Sequence, residues 1–135
     1  MALIVYFTGV EGLVLIAVFA QLTVRAVTAG TLAINGLLGL RTPATKRSQA
    51  AWDAGHRAAE PGLRVLVRVT VAAAVLPLPV AAGLGYRTDR AATATEIALG
   101  LGYAAVIGLL LVVAATADRA ARSTSSQPST APRPG

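Results

Sequence analysis

Three apolar stretches limit what this chain can fold into. The first runs from Ala2 to Val24 and is interrupted only by Glu11. The second, Val69 to Tyr86, and the third, Ile97 to Ala117, carry no charge. Crossing the hydrocarbon layer takes about 20 apolar residues, within a range of about 17–25. All three stretches meet this, the second when it is taken from Val65, with Arg64 and Arg68 reaching out toward headgroups. In lipid a helix satisfies every backbone group within its own segment. The expected fold is therefore all-α: an integral membrane bundle of three helices, with spans near residues 2–24, 65–86 and 97–117.

The charge content agrees. Charged residues make up 13% of the 135-residue chain, about half the ~25% of a soluble domain. That is too little to clothe a water-facing surface. The apolar residues are mainly Ala, Val and Leu, with 4% aromatic, which suits helices in lipid better than a core of large rings. With no cysteine, disulfides, thiolate metal sites and thiol catalysis are excluded. The net charge is +6. Because the basic residues cluster between apolar runs, they point to topology and anionic headgroups rather than to nucleic acid.

A cleaved leader is not the expected reading of the first stretch. A signal peptide opens on a basic region, whereas this chain opens Met-Ala-Leu-Ile-Val and places Glu11 in the apolar core. Orientation follows from where positive residues collect. Arg25, Arg41, Lys46, Arg47 and Arg57 lie between the first two spans, and Arg119, Arg122 and Arg133 follow the third. The link between spans two and three holds Arg87 and Arg90 beside Asp89 and Glu96. Positive residues stay in the cytoplasm, so the long loop and the tail are expected inside and the amino terminus outside. Residues 26–40 are apolar but short for a crossing. They leave open an extension of the first helix, an interfacial or re-entrant piece, or a fourth span. Residues 122–135 are polar and proline-rich and are expected to be disordered, leaving a transmembrane domain over residues 1–121.

The loop over residues 35–62 carries the most information. Thr42-Pro43 is a turn or helix-start signal. Ser48 is a good N-cap for a short interfacial helix over Gln49 to Glu60, which Pro61-Gly62 would end. On that helix Trp52, His56 and Ala59 share one stripe. Asp53, Arg57 and Glu60 form a neighbouring charged stripe, in which Arg57 is within helical reach of both acids.

These residues also carry a resemblance. Asn35, then Gly39-Leu40-Arg41-Thr42-Pro43, then Ser48, Trp52 and His56-Arg57, stand at the intervals that mark the SdpI family of small membrane proteins, which this loop closely resembles. Many members have Trp after the Pro, where this chain has Ala44, and acids after the Ser, where it has Gln49 and Ala50. The resemblance implies a bacterial plasma-membrane protein without enzymatic activity. Its implied role is immunity against a membrane-active peptide toxin or signal relay through the cytoplasmic loop, with the toxin or a regulatory protein as partner beside the bilayer.

Taken singly, the polar residues divide between plain and sharp readings. His56, the only histidine, lacks the company that a zinc site needs. A structural hydrogen bond and a pH sensor stay open. Arg41 is either a headgroup anchor or, with Trp52, the frame of a binding surface. Glu11 is an intramembrane acid, costly there unless paired or functional, or it lies nearer the headgroups. It shares a helix face with Thr8, Gln21 and Arg25, expected to turn toward the other helices. Pro77 and Pro79 kink the second span. Ala98 with Gly102, and Ala104 with Gly108, have the small-xxx-small spacing of close helix contacts. No catalytic constellation, cofactor motif or metal-ligand cluster stands in the sequence. A small transport or channel component is the alternative function. It would need a homo-oligomer, because three short helices enclose little volume.

Overall fold

The computed structural model describes residues 1–32, 34 and 39–125. The expected motif residue Asn35 and the tail beyond Ser125 lie outside them. Helix α1 (Ala2–Thr28) takes up the whole first apolar stretch. A short 3₁₀ turn (Thr45–Arg47) leads into α2 (Gln49–Val75), followed by α3 (Pro77–Leu84) and α4 (Asp89–Ser125). Three helical segments are long and apolar enough to cross a membrane: α1, α2 together with α3, and α4. The protein is an all-helical, multi-pass membrane protein.

Most threonine hydroxyls in the helices are satisfied by their own backbone. Thr23 donates to the Phe19 carbonyl at 2.8 Å, Thr70 to Leu66 at 2.7 Å and Thr95 to Ala91 at 2.7 Å. All three are buried, and a hydroxyl that closes on the carbonyl one turn back leaves no unpaired polar group inside the bundle. α4 starts on a cap: the Thr88 hydroxyl accepts from the Ala91 amide at 3.1 Å. Between α3 and α4 the chain turns at Gly85, φ +80°.

The contacts set the directions. A Cβ on Gly55, Gly62 or Gly102 would lie 2.9 Å from the Ala117 carbonyl oxygen, 2.7 Å from Val113 and 2.7 Å from Ala73, respectively. Those pairs step oppositely along the two chains, so α2 and α4 are antiparallel, and glycine is what lets their backbones approach. α1 is parallel to α4: Gly9 faces Leu99 and Gly12 faces Tyr103, whose hydroxyl donates to the Gly9 carbonyl at 2.7 Å. The core between the three helices is Leu13, Ala20 and Val24 of α1, Leu63 and Leu66 of α2, and Leu99, Val106 and Val113 of α4. One end of the bundle therefore carries the 29–48 loop and the end of α4. The other carries the amino terminus and the short link, where the Ala2 amide donates to the Tyr86 carbonyl at 3.3 Å.

Several expectations change. The helix begins on Ser48 as expected, with the Ser48 hydroxyl accepting from the Ala51 amide at 3.1 Å. It does not end at Pro61-Gly62. It continues to Val75 as one element, not as a separate short helix. Pro61 is exposed and forfeits only its own amide bond, while Gly62 lets α4 pack close enough to hold the helix through that point. The true break is at Leu76, where Pro77 opens α3. Residues 26–28 extend α1, and no described residue beyond them forms a fourth spanning helix. α4 runs on to Ser125, past residue 122 where the tail was expected to begin. Of the two small-residue pairs in α4, Gly102 meets Ala73, whereas a Cβ on Gly108 would meet no atom within 4 Å.

Candidate functional site

At the loop end of the bundle the motif residues converge, and they do so as a clamp. Trp52 and His56 are one turn apart on α2 and fully buried, 0% and 1% exposed. Their rings stack at 4.2 Å between centroids with a 38° tilt. The Trp52 indole N–H donates to the Leu32 carbonyl at 3.1 Å, and the Leu40 amide donates to His56 Nε2 at 2.7 Å. The two side chains thus grip the loop where it leaves α1 and where it returns toward α2. Gly39 is the third member. Its φ is +116°, and a Cβ there would lie 2.6 Å from His56 Nε2 and 2.8 Å from Trp52 Cζ2. Both the backbone conformation and the space demand glycine.

These bonds determine the protonation state of His56. A backbone amide can only donate, so Nε2 must carry a lone pair. Nδ1 then holds the proton and donates to the Trp52 carbonyl at 2.8 Å. The neutral imidazole is the bonded form. Burial pushes the His56 pKa below its ordinary 6.5, outweighing the Trp52 carbonyl and Asp53, which pull upward. The structural hydrogen bond is the reading this geometry favours. Among the described residues no group of His, Cys, Asp or Glu is arranged to hold a metal ion.

Below the clamp the Thr42–Thr45 turn is tied to itself. The buried Thr45 hydroxyl donates to the Leu40 carbonyl at 2.9 Å and accepts from the Thr42 amide at 3.0 Å; the Thr42 hydroxyl accepts from the Thr45 amide at 3.2 Å. Asp118 approaches this turn from α4, just past the apolar run that ends at Ala117. Its carboxyl is held below the usual range, first by the Thr42 side chain and then by Arg122, which pairs with Oδ2 at 2.7 Å. Oδ1 is buried and completes no hydrogen bond of ordinary geometry. Thr45, the Leu40 amide and Asp118 went unrecognised in the sequence. The Thr-x-x-Thr interval and the Asp118–Arg122 helical spacing were the available signals.

Other expected residues fall elsewhere. Trp52 lies beneath the loop surface and cannot frame an exposed binding face with Arg41. Of the expected residues at this end, Arg41, Pro43, Ser48 and Arg57 are exposed, as are the neighbouring Lys46 and Arg47. Arg57 does not bridge the two acids of its stripe: Glu60 pairs with Arg64, and Asp53 accepts from Gln49 at 2.8 Å. Thr8, Glu11 and Arg25 are exposed on α1, so their shared face turns outward, opposite to expectation. An apolar cavity of about 290 Å³ opens under Gly39 and Leu40, between Leu15, Phe19, Leu63 and Leu110.

The family model described as the SdpI/YfhL protein family matches residues 31–127. Neither a curated protein nor a solved structure matches the chain.

Proposed function

This chain belongs to the SdpI/YfhL protein family, and we propose that it is a non-enzymatic protein that protects the plasma membrane of a bacterium against a membrane-active peptide toxin or relays that challenge inward. The reading places the loop and the end of α4 on the cytoplasmic side, as the positive-residue distribution favours. The observation that carries it is the use to which the motif is put. Trp52 and His56 bond to backbone and stack on each other, and Gly39 fits against both rings, so all three shape a loop. What the loop offers outward is basic: Arg41, Lys46 and Arg47 are exposed on and beside the turn. A fixed, basic surface beside a membrane suits docking of a partner.

The test is deletion of the gene followed by challenge with membrane-active peptides. Deletion is expected to sensitise cells, wild-type protein to restore tolerance, and Trp52→Ala to fail at equal abundance in the membrane. Unchanged sensitivity across such challenges counts against the reading. The transport alternative rests on Glu11, whose exposure on an apolar helix would place any path between copies. A monomer in bilayers with no solute flux in liposomes removes it.

A further inference from the structure

We propose that the cleft between α1 and α2 on the side bearing Arg25 and Arg68 is a binding site for one anionic phospholipid. At the loop end a cleft of about 380 Å³ is lined by Gln21, Arg25 and Thr28 of α1 and by Arg64 and Arg68 of α2. Directly adjoining it, a groove of about 420 Å³ is lined by Ala17, Val18 and Leu22 of α1 and by Val67 and Val71 of α2. Gln21, Arg25 and Val67 line both, so the two are one continuous channel, polar at one end and apolar at the other.

The charges decide the occupant. Arg64 pairs with Glu60. Among the described residues Arg25 and Arg68 have no acidic partner, and both are exposed on the channel. Two guanidinium groups from two antiparallel helices, with the Gln21 amide beside them, suit a phosphodiester, which a guanidinium binds through paired N–H donors. From Arg25 back to Ala17 the groove follows α1 for about 12 Å at about 1.5 Å per residue, and past Gln21 its walls are the apolar side chains of Ala17, Val18 and Leu22 with Val67 and Val71 opposite. A free phosphate has no use for that apolar half; an acyl chain does. The leaflet that the loop end faces supplies the lipid, so the inference stands apart from the immunity reading.

The experiment is native mass spectrometry of the full chain released from micelles holding equal amounts of phosphatidylglycerol and phosphatidylcholine. One phosphatidylglycerol per chain is expected, preferred at least tenfold. The double variant Arg25→Gln, Arg68→Gln is expected to lose the preference, and Arg119→Gln, exposed on α4, to keep it. Ala17→Phe leaves every arginine in place but fills the apolar half, and is expected to lower retention at least fivefold. Millimolar glycerol phosphate is expected not to displace the lipid. Retention of both lipids alike, an unaffected double variant, an unaffected Ala17→Phe, or displacement by glycerol phosphate would each overturn the proposal. Should the double variant fail to fold by circular dichroism, Ala17→Phe and the competition decide it.

Discussion

Gly39 is the residue on which the clamp closes. At φ +116° an L side chain is strained, and holding a residue in such a region costs about 1–3 kcal/mol. Here the added methyl would also meet His56 and Trp52. Gly39→Ala is therefore expected to destabilise the protein by about 2 kcal/mol or more. Trp52 is the sole tryptophan, so its emission is a direct reporter: the variant should shift to the red and unfold at lower denaturant. An unshifted spectrum with parental stability would show that the loop does not need the clamp. Trp52→Ala removes the whole ring from a fully buried position and is expected to cost about 3–5 kcal/mol in the same titration.

The pH dependence of the clamp belongs to this scale as well. Folding holds His56 neutral, so its folded pKa lies below 6.5. A depressed folded value means that the unfolded chain binds the proton first. The contribution of His56 is thus complete above about 6.5 and declines as pH falls from there toward the lowered folded value. The cationic ring would have to give up the Leu40 amide, and Asp53 and Arg57 share its cleft. Acidifying below 6.5 is expected to quench Trp52 emission and loosen the loop, and His56→Gln to flatten that titration. An identical profile in both proteins would assign the transition to another group.

Between elements, the seam of α2 with α4 offers a test in which one chemical change has opposite signs. Gly55→Ala pushes a methyl to 2.9 Å from the Ala117 carbonyl, which is backbone and cannot turn aside; overpacking of this kind costs about 1–3 kcal/mol. Gly108→Ala meets nothing within 4 Å and gains helix propensity, up to about 1 kcal/mol. Thermal unfolding in micelles should separate the two. Equal effects would mean that the helices are not packed this closely. The sequence carried half of this information. Small-residue spacing marked both Gly102 and Gly108, but which glycine faces a neighbour depends on helix rotation, fixed only when three helices pack together. The same limit applies to Pro61. Read locally, Pro61-Gly62 is a stop; only the close approach of α4 makes it a point through which the helix continues. The clamp was legible as a pattern of residue types. Its workings were not, because two of its partners are backbone groups, at Leu32 and Leu40, and backbone groups have no sequence signature.

For the molecule as a whole, apolar length and the placement of arginines already implied three crossings with the loop and the end of the last helix at one side. The packing of α1 parallel to α4 and antiparallel to α2 has that arrangement. The absence of cysteine makes it simple to check with single introduced thiols. At the exposed positions, Ser48→Cys and Ser123→Cys are expected to react from one face of the membrane and Thr88→Cys from the other. In intact cells an impermeant maleimide should label only the Thr88 variant. Labelling of the Ser48 and Thr88 variants from the same face would refute the three-crossing topology. Glu11 shows where whole-molecule reasoning from sequence stopped: a helix wheel groups it with Thr8 and Arg25 but cannot say whether that face turns inward, and it turns outward.

The unbroken course of α2 through Pro61 has a mechanical consequence. From Trp52 to the break at Leu76 is a single rigid rod of about 36 Å at about 1.5 Å per residue. Its far end meets Pro77 and Pro79, neither of which has an amide to donate, so the α2–α3 junction is the weakest-tied point along the second crossing and the place where a tilt of the rod would be absorbed.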